Sequence, residues 1–291
     1  MNNVFIKATA HGFTNKEYNE DPELFTSILI SVIHTWIYRT YDTQDNLKIE
    51  IDEEIEREYG RIKAAYHALE NDIHNLAVNN HLLSQLINNN DLDKGFKLLY
   101  ISLLVENYII NLRSIYDSTT LLPRLLIDSK DFKKLPNGKN SDSLNNLIKS
   151  IKKTFNTINQ LYPQSINKTI LDCEFDLDNI RKIRDAIIHK GKEPIIEITN
   201  NQVYFRIPQK PPYGKENSLP DILFLGKENN YPLNKYLRAL TKRLINYMER
   251  LGNTIGQEFY NKDNNYRVDL TALVGICMKD FIEYLNTEEL L

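Results

Sequence analysis

Arg181-Lys182-Ile183-Arg184-Asp185-Ala186-Ile187-Ile188-His189-Lys190-Gly191 is the stretch whose reading decides this chain. Ile180, Ile183 and Ile187 recur at helical spacing and give the segment one buried face. Gly191 and then Pro194 stop helices, so the run should end just after Lys190. His189 is therefore expected in the last turn, beside carbonyls without intrahelical partners and the negative end of the helix dipole. Asp185 lies four residues earlier, on the same face. Both effects favour imidazolium and predict a His189 that titrates above an ordinary histidine, close to neutral pH. Arg184 and His189 stand about 140° apart around the axis and roughly 7.5 Å apart along it. They can serve one phosphate only if Arg184 curls round the helix or a second subunit completes the site.

A long apolar-rich segment, expected to be helical from about Asp93 to Leu126 with a bend near Pro123, supplies a second polar face. With Glu106 as reference and about 100° per residue, Arg113 and Asp117 fall within roughly 20° of it. Asn107, Ser114 and Ser118 adjoin that strip, while Val105, Ile109, Leu112, Ile115 and Tyr116 face the other way. Leu103 and Ile110 break the separation. The strip reads either as a solvated face laced by an Arg113–Asp117 pair, or as the wall of a cleft against the Arg184/His189 helix.

Arg184-x4-His189, with Asp185 directly after the arginine, resembles the Arg-polar-x3-His signature of HEPN domains. The segment Asn111-Leu112-Arg113-Ser114-Ile115-Tyr116-Asp117 resembles the polar inner face of that family's other active-site helix, so the likeness spans roughly residues 93 to 191. The resemblance implies a mainly helical bundle and a metal-independent, cofactor-free endoribonuclease that acts as a homodimer in prokaryotic defence, toxin–antitoxin or stress systems, held in check by an antitoxin or other protein partner. The catalytic residues it implies are Arg184, His189 and Asp185, supported by Glu106, Asn111, Arg113 and Asp117. His189 would exchange the proton of a ribose 2′-hydroxyl or of the leaving 5′-oxygen, and Arg184 would stabilise charge on the phosphorus oxygens. Asp185 would orient the imidazole. Lys190 and Lys192 are candidate RNA contacts. Some members carry a tyrosine two residues after the histidine as a site of modification; here that position is Gly191, so control through it does not carry over. The alternative is a non-catalytic module of the same kind that binds a nucleotide, RNA or a partner protein.

The 291 residues suffice for one large domain or a module with an extension, and 42% hydrophobic content allows a substantial core. A net charge of −3 gives no general attraction to phosphate, so an RNA site must rest on a local basic cluster. Two distant cysteines, Cys173 and Cys277, without His or Cys neighbours at ligand spacing, argue against a disulfide scaffold and a cysteine-rich zinc site. The N-terminus lacks a basic-then-apolar leader pattern, and the run from Leu24 to Tyr38 is too short to span a bilayer. A cytoplasmic protein with no membrane association is expected.

The remaining chain reads as a helix from Asp21 to about Tyr41, a charged helix or helix pair from Ile51 to Asn88-Asn89-Asn90, and a turn at Pro136-Asn137-Gly138. Helices are expected over about Ser141–Leu161 and Asp176–Lys190. The period then changes: Ile195, Ile196 and Ile198, and Val203, Phe205 and Ile207, flank Asn200-Asn201 in a hairpin pattern, with a third short strand at Ile222–Leu225. Helices return from Leu233 to about Ile255 and from Val268 to Leu285. The division expected is an N-terminal helical region over 1–90 and a helical module over 91–291, with a β-hairpin insertion at about 193–226. His67, His74 and His81 share a helix face but stand about 10.5 Å apart, which suits packing or interaction better than one metal ion. Lys235, Arg238, Lys242 and Arg243 form a basic face that is either solvated or able to track RNA.

Overall fold

The structure is a computed structural model that describes residues 24–38, 53–135, 142–153, 160–199, 202–209, 217–226 and 230–287. The order is β1 (Leu24–Thr26), α1 (Ile28–Trp36), α2 (Glu53–Asn88), α3 (Lys94–Ser118), two 3-10 turns (Leu122–Leu126 and Ser129–Lys134), α4 (Leu144–Ile151), α5 (Gln164–Asp172) and α6 (Glu174–Lys190). There follow β2 (Ile195–Thr199), β3 (Gln202–Arg206), β4 (Tyr231–Pro232), α7 (Leu233–Lys262), β5 (Ala272–Val274) and α8 (Met278–Asn286). The fold is mainly helical, with two small antiparallel sheets.

The chain forms two compact units that interleave in sequence: 1–71, 115–174 and 245–275 in the first, 72–114, 175–244 and 276–291 in the second. Residue 90 falls inside the second unit. In the first unit Leu29, Val32, Ile33, Ile62, Leu122, Tyr247 and Leu251 are among the fully buried side chains. β1 pairs with β5 (Phe25 opposite Leu273), and the Ser31 and Thr35 hydroxyls accept the Thr271 and Asp269 N–H groups, which fixes the chain leading into β5 against α1. The Glu249 carboxylate accepts the Ile28 N–H at 3.1 Å and so caps α1. A Cβ at Gly252 would fall on the Leu29 backbone, so only glycine allows α7 this close to α1. A buried ion pair, Arg124 to Glu58 at 2.7 Å, is extended by Arg61 to Glu58 (2.8 Å) and Asp142.

In the second unit one face of α3 supplies Ile101, Val105, Tyr108, Ile109 and Leu112 to the core, and α6 supplies Leu177, Ile180, Ile183 and Ile187. The Tyr108 hydroxyl meets Thr241 of α7 at 2.8 Å. Strand order is β2-β3-β4, with Thr199 opposite Gln202 and Phe205 opposite Tyr231. Among the described residues one stretch, Lys94–Leu126, is long and apolar enough to cross a membrane by composition. It is not one straight helix: α3 ends at Ser118, before the 3-10 turn that contains Pro123.

Several expectations are corrected. The N-terminal helix starts at Ile28, because residues 24–26 are drawn into pairing with β5. The third strand is Tyr231–Pro232; Ile222–Leu225 instead lies in a turn whose Leu225 and Gly226 N–H groups bond to the Asp221 carboxylate. Residues 164–172 form a helix that the pattern did not mark, and the last helix begins only at Met278. The turn expected at Pro136-Asn137-Gly138 lies outside the described residues.

Candidate functional site

The motif helix ends where Gly191 adopts a left-handed φ of +57° and the Lys192 N–H returns to the Ala186 carbonyl at 3.2 Å. Ile180, Ile183 and Ile187 anchor the buried face, which leaves Arg184, Asp185 and His189 at the surface. Arg184 does curl round the helix. Its Nη1 donates to His189 Nε2 at 3.0 Å and to Asp185 Oδ1 at 3.2 Å. A guanidinium carries only donors, so Nε2 is the acceptor in this contact. Asp185 Oδ1 lies 3.8 Å from Nε2, beyond hydrogen-bond range, and contacts the guanidinium rather than orienting the ring. The three side chains thus form one cluster at the surface, with Arg184 and Asp185 half-buried and His189 61% accessible.

Further residues tie this end of α6 to α3. The Ser102 hydroxyl donates to the Pro194 carbonyl at 2.9 Å. Burial first, and then the nearby Glu193 carboxylate, raise Glu106 above the ordinary carboxylate range. Asn111 and Arg113 are half-buried in the same unit. Asp117 belongs to the first unit, where its carboxylate accepts the Leu144 N–H at 3.0 Å and caps α4. Lys190 is exposed, whereas the Lys192 ammonium is held by the Gln209 carbonyl at 2.6 Å.

Two of the four cations on the basic face of α7 are engaged within the fold. Arg243 bonds Asp176 at 2.8 Å and the Ile222 carbonyl, and sits over the Phe175 ring; Arg238 sits over Tyr284. His67 meets Glu70, and His81 meets Asp280 of α8 at 2.6 Å. Among the described residues no three His, Cys, Asp or Glu side chains converge as a metal site. Sequence reasoning missed Ser102, Glu193 and Gln209, since each acts through a contact that no local spacing encodes. No family model, curated protein or solved structure matches this chain.

Proposed function

We propose that the chain is a metal-independent endoribonuclease of HEPN type, homodimeric in action and belonging to a prokaryotic defence, toxin–antitoxin or stress system. The observation that carries the reading is the Arg184 guanidinium resting 3.0 Å from His189 Nε2 at the open end of a helix. A guanidinium presents several donors in a planar fork suited to phosphate. An RNA phosphate competes for those donors, draws Arg184 off the imidazole and frees the Nε2 lone pair beside the scissile group. His189 then takes the proton of the ribose 2′-hydroxyl, the 2′-oxygen bonds to phosphorus, and the 5′-oxygen leaves with a proton from an imidazolium. Histidines from two copies share the base and acid roles, and Arg184 stabilises the phosphorane oxygens. The products are a 2′,3′-cyclic phosphate and a 5′-hydroxyl. No step needs a metal or cofactor.

The purified protein should cut RNA with EDTA present, and His189→Ala should stop cutting while the helical spectrum is unchanged. Equal inertness of the wild type and His189→Ala on varied RNAs would overturn the reading. A second reading, a non-catalytic module that binds a nucleotide, RNA or a partner protein, draws support from the net charge of −3 and from the cations already engaged on α7. It requires binding without turnover that is insensitive to His189→Ala.

A further inference from the structure

Among the described residues Phe224 alone, glycines apart, has a left-handed φ, +56°, and it is 81% accessible. A bulky side chain enters that region against its own sterics, and here no burial of the ring offsets the strain. The surrounding turn holds it instead. Asp221 accepts the Leu225 and Gly226 N–H groups, the Tyr236 hydroxyl donates to the Pro220 carbonyl at 2.8 Å, and the Tyr231 hydroxyl to the Gly226 carbonyl at 3.2 Å. Between these, Arg243 Nη2 donates to the Ile222 carbonyl at 3.2 Å. The same guanidinium is fixed by Asp176 at 2.8 Å and lies 5.9 Å over the ring of Phe175, near the start of α6. Phe175 is still 63% accessible. Two exposed aromatic side chains therefore stand about one immobilised arginine, all within the second unit.

We propose that Phe175 and Phe224 form a stacking platform for unpaired bases of single-stranded RNA; the choice of RNA rests on the reading above. Every base has a flat π face that packs on an aromatic ring, whatever the sequence. A ring backed by a guanidinium, and a ring carried on a fastened turn, are already placed, so stacking costs them little freedom. The position along α6 fits as well. Phe175 and His189 lie fourteen residues apart on this helix. At 100° and 1.5 Å per residue they fall within about 40° of each other around the axis and about 21 Å apart along it. An extended strand covers that span in a few nucleotides, so a base on Phe175 is compatible with a scissile phosphate at His189.

The carboxylates at this end of α6 do not bar a phosphate backbone, because each is matched by a cation: Glu174 by Lys152, Asp176 by Arg243, and Asp178 by Arg181 at 3.1 Å. Asp221 is turned onto its own backbone N–H groups. A lipid surface fits less well. Insertion among acyl chains scales with a continuous apolar area, whereas two rings about a planar cation suit a flat, polar-edged ligand.

The test is affinity for a mixed-sequence single-stranded RNA, read by anisotropy on His189→Ala protein so that the RNA stays whole. Phe175→Ala should weaken binding on the order of 10-fold; Phe175→Trp should restore it and Phe175→Leu should not. Stacking releases no counterions, so the loss should be the same factor at every salt concentration. In an RNA with one abasic residue at the stacked position, Phe175→Ala should cost nothing further. Phe224→Gly, which suits the left-handed backbone, should weaken binding while it raises the melting point. Unchanged affinity in Phe175→Ala, rescue by leucine, equal affinity for duplex RNA, or a protein that binds no RNA would each overturn the proposal. A Phe224→Gly that melts lower would assign that ring to the fold and remove it from the platform. Sedimentation with phosphatidylcholine–phosphatidylserine vesicles, lost in Phe224→Gly while RNA affinity holds, would replace the bases by lipid. RNA cut by the wild type but bound equally by both variants would end the platform and leave the ribonuclease reading. A platform that passes these tests in a protein that cuts no RNA would stand while that reading falls.

Discussion

At Nε2 of His189 a hydrogen bond from Arg184 occupies the lone pair that a general base needs, so in the proposed reaction a phosphate must first displace the guanidinium. This makes the planar fork more important than the charge. Arg184→Lys keeps the cation but loses the bidentate donors, and cleavage should fall by on the order of 100-fold, measured as single-turnover rate on a labelled RNA. A lysine variant with the wild-type rate would show that the fork has no part. The trio of Arg184, Asp185 and His189 was legible in sequence because every contact in it lies within five residues along one helix. Asp117 was not, because its carboxylate serves Leu144, 27 residues away. On a helical wheel, an acid at a remote N-terminus looks the same as an acid in a cleft.

Elements were readable where their signals are local. Gly191 ended α6, and alternation around Asn200-Asn201 fixed β2 and β3, whose register leaves just those two residues between the strands. β1 and β5 were not, because three-residue strands paired across most of the chain carry no periodicity of their own. The contact of α7 with α1 turns on Gly252, and two effects of Gly252→Ala compete there. Alanine gains about 1 kcal/mol of helix propensity, but its methyl meets Leu29 backbone that cannot yield, and overpacking costs about 1–3 kcal/mol. The clash should win, with a melting point lower by a few degrees. Gly60→Ala in α2, where nothing lies within 4 Å, should instead raise it. If Gly252→Ala is also stabilising, the close approach is wrong.

Glu249 caps α1 at a cost. Burial raises its pKa above the usual 4.5, against the opposing hydrogen bond from the Ile28 N–H. A carboxyl that holds its proton more tightly when folded favours the fold below about 4.5, and that contribution is lost as pH climbs through the raised folded value. Glu249→Gln keeps an acceptor for the Ile28 N–H and has no charge to desolvate. Its stability should therefore lose this slope in urea titrations between pH 4 and 7, and an unchanged slope would assign the pH dependence elsewhere.

At the scale of the whole molecule, a net charge of −3 gives no general attraction to RNA, and Arg243 is engaged within the fold. With Arg184 and Lys190 from two copies, about four contacts, affinity for single-stranded RNA should fall with a log–log salt slope near 3. Anisotropy on the His189→Ala protein measures it, and a slope of about 8 would require a basic surface outside the motif. Binding alone does not distinguish a cutter from a reader, however. The chemistry of the cut ends does. RNA treated with the wild type in EDTA should carry 2′,3′-cyclic phosphate and 5′-hydroxyl termini, absent after treatment with His189→Ala; 3′-hydroxyl and 5′-phosphate ends that appear only with magnesium would contradict the account.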